Sequence, residues 1–159
     1  MKKLQIDNQT FDFTYSESAK CFMATEYINE VKVNFEIYEE EYNQDHIDWD
    51  YFSKFLADIK KNNNLPSLIN RSQKLLIVLA ETFGSSIDKH QNIEDYHMIF
   101  SGLQFKGSTN NLFNIGLFDI SLWFNILNKT NPGEYVDPYG AYIADIEGDF
   151  VMGVRRRQC

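Results

Sequence analysis

The sequence predicts an α+β fold: a single domain over residues 1–159, with a largely antiparallel sheet and two main helices between N-terminal and C-terminal strand groups. Three observations carry that expectation. Residues 11–38 contain short runs in which apolar and polar side chains alternate, as in half-buried strands. Apolar positions from Phe52 to Phe83 recur at helical spacing. Beyond Tyr96 the strand pattern returns. Strands, then helices, then strands is the order expected of an α+β domain rather than of repeated βαβ units.

Taken in order, Phe11–Tyr15, Cys21–Ile28 and Val31–Tyr38 read as strands. The third is the clearest. Val31, Val33, Phe35 and Ile37 fall on one face; Lys32, Asn34, Glu36 and Tyr38 fall on the other. Asn29 and Glu30 suit the hairpin turn before it. Asp48 or Asp50 then caps a helix carrying Phe52, Phe55, Leu56 and Ile59, which stops at the polar run from Lys60 to Asn64. Pro66 fits the first turn of a second helix, because its missing N–H would be unpaired there in any case. Leu68, Ile69, Leu75, Leu76, Leu79 and Phe83 are its apolar positions and Gly84 its stop. Tyr96–Phe105 reads as a strand bulged at Gly102, and Leu112–Phe118 as another. Asp119–Lys129 fits either a short capped helix or a continuing strand. Two final strands flank Gly148-Asp149, a two-residue hairpin turn.

Composition supplies a core and excludes several classes. Hydrophobic residues make up 43% of the chain and aromatics 15%, with 13 Phe and 9 Tyr, so disorder is not expected despite a net charge of -8. The longest uninterrupted apolar run, Leu75–Ala80, is far too short to span a bilayer, and polar residues break the N-terminal "MKKLQIDNQT" before any leader-like core. A cytoplasmic protein without a membrane partner is therefore expected. Cys21 reads as a small buried hydrophobe and Cys159 as an exposed terminus, without a bridge between them. His46, His90 and His97 have no Cys or carboxylate at metal-ligand spacing, and no HExxH, CxxC, GxSxG or phosphate-binding glycine loop occurs. Asp48 and Asp50 imitate the first and third positions of a calcium loop, but Phe52 and Ser53 occupy its fifth and sixth, where an oxygen ligand and Gly are needed. No cofactor, no metal site and no catalytic residue is expected. Arg155, Arg156 and Arg157 are too few on an acidic chain for a direct nucleic-acid footprint; they suit a strand edge or pairing with the protein's own acids.

The charge is local. Seven carboxylates fall between Glu36 and Asp50 with no Lys or Arg among them, and the 16 acids that remain nearly match the 15 bases. Helix capping by Asp45, Asp48 and Asp50 accounts for part of this, each interaction contributing about 0.3–1 kcal/mol. It does not account for Glu39, Glu40 and Glu41, whose mutual repulsion lies within the roughly 8 Å Debye length. A solvated loop tolerates that repulsion; a cationic partner relieves it. If the third strand runs on through Tyr42, then Glu36, Tyr38, Glu40 and Tyr42 alternate on its outward face, and Tyr is a residue of protein interfaces. The candidate partner-binding residues are therefore Glu36, Tyr38, Glu39, Glu40, Glu41, Tyr42, Asp45 and Asp48.

With its small α+β domain, the dense acidic "EIYEEEYNQDHIDWD" and the interleaved tyrosines, the chain resembles the immunity proteins that protect bacteria from polymorphic or contact-dependent growth-inhibition toxins. The resemblance is one of general type over the whole chain, without a diagnostic motif. It implies a non-enzymatic protein that binds a cognate basic toxin domain, often a nuclease, and blocks its active site or access to it. The competing expectation is a small enzyme whose site assembles from scattered acids, with His97 or Tyr residues around an aromatic-lined pocket.

Overall fold

The computed structural model describes residues 1–38, 47–82, 96–106, 120–129, 137 and 140–158. Among them, eight strands and two helices follow the order β1 (Lys2–Ile6), β2 (Gln9–Ser16), β3 (Cys21–Ile28), β4 (Val31–Tyr38), α1 (Trp49–Asn62), α2 (Leu65–Thr82), β5 (Tyr96–Phe105), β6 (Ile120–Asn128), β7 (Gly140–Glu147) and β8 (Phe150–Gln158). The strands lie side by side in sequence order. Every neighbouring pair is antiparallel except β4 and β5, which run parallel with Phe35 beside Leu103, Glu36 beside Gln104 and Ile37 beside Phe105. Parallel neighbours need a long crossover. The two helices lie within that connection.

Tight turns join most of the antiparallel pairs. Asp7 and Asn29 adopt φ of 53° where β1 meets β2 and β3 meets β4, and Gly148 adopts 56° between β7 and β8. Asn29-Glu30 and Gly148-Asp149 are thus the hairpin turns the sequence predicts. The β3–β4 turn also closes the end of α1: the Asn29 side-chain amide donates to the Lys60 carbonyl at 3.1 Å and to Asn63 Oδ1 at 2.8 Å. The β7–β8 turn is held from the start of α2, where Asn64 Nδ2 donates to Asp149 Oδ1 at 2.7 Å and Arg71 Nη2 to the Asp149 carbonyl at 2.6 Å. Both hairpins therefore clasp the α1–α2 junction.

Period-two patterning sends one sheet face to the helices. Val33, Phe35 and Ile37 of β4, Leu103 and Phe105 of β5, Ile120, Leu122, Phe124 and Ile126 of β6 are all buried in one core with Phe52, Phe55, Leu56 and Ile59 of α1. Phe52 is the hub of its aromatic part, with ring centroids 4.9 Å from Phe105, 6.0 Å from Phe13 and 6.1 Å from Phe35. Such edge and offset pairs add to burial itself. Helix α2 packs chiefly on β8 and more lightly on β5 and β7.

Four elements depart from the sequence reading or resolve it. Lys2–Ile6 is a strand the sequence did not announce; only Leu4 and Ile6 face the core, too few for a periodic signal. Asp119–Lys129 contains a strand, because Ile120, Leu122, Phe124 and Ile126 keep period two between β5 and β7. The β5 bulge falls beside Gly102: the ladder slips between Phe100 and Gly102 and leaves Ser101 over. In α2 the buried stripe is Leu65, Leu68, Ser72, Leu76 and Ala80, which places Leu75 one position off it and 47% exposed. The expected strand Leu112–Phe118, Phe83 and the Gly84 stop, and Cys159, lie outside the described residues. Among the described residues no helix is long and apolar enough to cross a membrane.

Candidate functional site

The face of the sheet turned away from the helices carries the side chains that alternate with the core. Directly opposed residues share a face, so Met23 stands with Glu36, Thr25 with Asn34, Gly102 with Trp123, and Ser121 with Asp145. The parallel register adds Gln104 beside Glu36. These pairings build a groove of about 300 Å³ across β3–β6, lined by Met23, Asn34, Glu36, Gln104, Trp123 and the bulged Ser101–Leu103 segment.

Gly102 gives the groove its floor. A Cβ there would stand 2.5 Å from the Asn34 carbonyl oxygen, inside any ordinary contact, so the absent side chain lets β4 and β5 approach. Asn34 is fixed from two sides: its Oδ1 accepts from Thr25 Oγ1 at 2.9 Å, and its Nδ2 donates to the Ser101 carbonyl at 3.0 Å. Both amide ends are occupied. Trp123 lines the groove, and its indole Nε1 is buried without a hydrogen-bond partner among the described residues.

Glu36 is the groove's charge. Its Oε2 accepts from Tyr38 Oη at 2.8 Å and from Gln104 Nε2 at 2.7 Å, while Oε1 receives no hydrogen bond from a described residue. Burial, and then the hydrogen bond to Glu36, push the Tyr38 phenol well above the ordinary tyrosine range, so Tyr38 is a donor at neutral pH. Cys21, opposite Tyr38 in the ladder, is fully buried; burial and then the Glu36 charge raise its thiol pKa, which makes it a poor nucleophile. Lys106 Nζ lies 5.0 Å above the Tyr38 ring.

Two further acids are neutralised within the chain. Arg155 holds Asp145 with Nε–Oδ2 at 3.0 Å and Nη2–Oδ1 at 3.2 Å, and Asp145 also accepts from Ser121 Oγ at 3.0 Å. Arg156 holds Asp137 through two bonds of 2.7 and 3.0 Å, and Tyr142 Oη donates to the same carboxylate at 3.0 Å. A Cβ on Gly140 would overlap that carboxylate, so glycine is what seats Asp137 there. The arginine-rich end thus pairs with acids of the same protein, as one reading of the sequence expected, and these acids lie outside the Glu36–Asp50 stretch.

Of the candidate partner-binding residues, Glu36 and Tyr38 stand together on the open sheet face, joined by a hydrogen bond. Asp48 is elsewhere: it caps α1 in the helix layer, its Oδ1 accepting from the Tyr51 N–H at 2.8 Å. Glu39, Glu40, Glu41, Tyr42 and Asp45 lie outside the described residues. Sequence reading missed Gln104, Asn34, Gly102 and Trp123. Asn34 shares the β4 face with Glu36, but the parallel β4–β5 register that brings Gln104, Gly102 and, through β6, Trp123 to them leaves no local trace. His97 is exposed on β5, opposite Leu127, and does not line the groove. Among the described residues, no three His, Cys, Asp or Glu side chains converge as a metal-ligand group. No family model, curated protein or solved structure matches the chain.

Proposed function

We propose that this chain is a cytoplasmic, non-enzymatic binding protein of the immunity type, which neutralises a cognate basic toxin domain through the acidic, tyrosine-bearing surface that begins at Glu36 and Tyr38. One observation carries the reading. Asp137 and Asp145 each receive an arginine from the chain itself, whereas Glu36 is held on the open face by two neutral donors and pairs with no described cation. A carboxylate fixed in place with no ion-pair partner among the described residues is prepared to take one from outside. Glu39, Glu40, Glu41 and Asp45 follow it directly in sequence and add a field that steers a basic partner.

The test is protection. The genes flanking this one are searched for a toxin domain, any such domain is expressed with and without the chain, and growth is followed. Rescue by the wild type, lost when Glu39, Glu40 and Glu41 are reversed to Lys, is the expected result; growth arrest that the chain leaves untouched overturns the reading.

A second reading, a small enzyme with a scattered-residue site, draws on the groove itself. Its volume of about 300 Å³ meets the lower end of small-ligand pockets, about 300–1,000 Å³. The acid–base pairing that would favour it, His97 beside a carboxylate, is not formed among the described residues.

A further inference from the structure

The groove on the open sheet face also specifies what the partner inserts, an inference that rests on the binding role above for the partner's basic character. We propose that it receives a single arginine side chain of that partner, with the guanidinium on Glu36 Oε1 and the aliphatic stem against Met23 and Trp123.

Four features point to this occupant. Among the described residues Glu36 is the one ionisable side chain lining the groove, and it is an acid. Its Oε2 is saturated by Tyr38 and Gln104, so the geometry of the carboxylate is set, and Oε1 receives no hydrogen bond from a described residue. Lys106 Nζ lies over the Tyr38 ring, and no described cation forms an ion pair with Glu36. The remaining lining exposes more apolar than polar surface, with one amide hydrogen and the oxygen of Asn34 already engaged, so a ligand with an aliphatic stem fits it better than a wholly polar one. Arginine suits this combination better than lysine. Its planar, weakly hydrated guanidinium tolerates desolvation and stacks on aromatic rings, and it offers several donors to one carboxylate oxygen. A groove this size holds one such side chain and not an extended peptide.

The isotope-labelled full chain, titrated with N-acetyl-arginine methylamide and, separately, with its uncharged isostere N-acetyl-citrulline methylamide, tests the assignment by NMR. Arginine is expected to shift the Trp123 indole N–H and the Gln104 and Asn34 side-chain amides in a saturable way, with citrulline bound about tenfold more weakly or less. Glu36→Gln should lower arginine affinity about tenfold while leaving citrulline unchanged. That variant keeps an amide oxygen to accept from Tyr38 and Gln104, and an unchanged backbone spectrum confirms its fold. Should it fail to fold, the arginine–citrulline comparison on the wild type still decides. Equal affinity for the two probes, or arginine shifts confined to residues outside the groove, overturns the assignment. Growth protection without groove binding removes only the arginine site; groove binding without protection removes only the immunity role.

Discussion

Tyr142 shows what one buried residue contributes to the pH response of this protein. Its phenol is 1% exposed, and burial followed by the neighbouring Asp137 charge moves its pKa from the ordinary 10 to about 12. Because the folded value is the raised one, folding favours the protonated phenol. Its stabilising effect is complete below pH 10 and is lost as pH rises from there towards 12. Chemical unfolding across that range should show a steeper loss in the wild type than in Tyr142→Phe. The same cluster makes Arg156 and Arg155 unequal. Arg156 faces a carboxylate whose side chain is 4% exposed, so Arg156→Met removes a two-bond ion pair from a buried charge and should cost about 3 kcal/mol in urea unfolding. The Arg155 side chain is 41% exposed and its pair with Asp145 is screened, so Arg155→Met should cost clearly less. Pairing with the protein's own acids was one of the readings the three consecutive arginines allowed, beside a strand edge, but not which acids: Asp145 and Asp137 reach Arg155 and Arg156 through the β7–β8 ladder and the Gly140 gap, which no spacing encodes.

At the scale of elements, patterning was most legible where one face of a strand is buried. The β4 alternation placed Val33, Phe35 and Ile37 in the core and Glu36 and Tyr38 outside it. It was illegible at β1, which has two core residues, and for the groove, which depends on a parallel register between strands separated by two helices. Asp48 illustrates how capping and recognition can be separated. Asp48→Ala should destabilise the protein by about 1 kcal/mol through the lost cap, while Asp48→Asn, which still accepts from the Tyr51 N–H, should be nearly neutral in thermal unfolding. Slower partner association in Asp48→Asn would then report on charge alone. Helix α2 carries a different anomaly: the Ser72 hydroxyl is fully buried without a hydrogen-bond partner among the described residues. Removing an unpaired buried polar group and improving helix propensity act in the same direction, so Ser72→Ala should raise stability by about 1 kcal/mol in the same experiment.

For the whole molecule, the uneven distribution of charge matters more than the total of -8. The acidic stretch and the groove are expected to act on different steps of association. Exposed charges at the edge of an interface accelerate encounter and are screened by salt, whereas a desolvated charge pair slows dissociation. If the proposed basic partner is the right one, reversing Glu39, Glu40 and Glu41 to Lys should lower its association rate by about tenfold or more at low ionic strength, with the difference shrinking as salt rises. Glu36→Gln should instead leave association nearly unchanged and raise the dissociation rate, because its carboxylate is committed to two hydrogen bonds inside the groove and adds little to the distant field. Stopped-flow and surface-binding kinetics on the two variants separate these effects. If both change only association, Glu36 belongs to the edge of the interface and the groove is not its centre. If the triple reversal changes neither rate, the acidic stretch is a solvated connection between β4 and α1, and recognition lies on another surface.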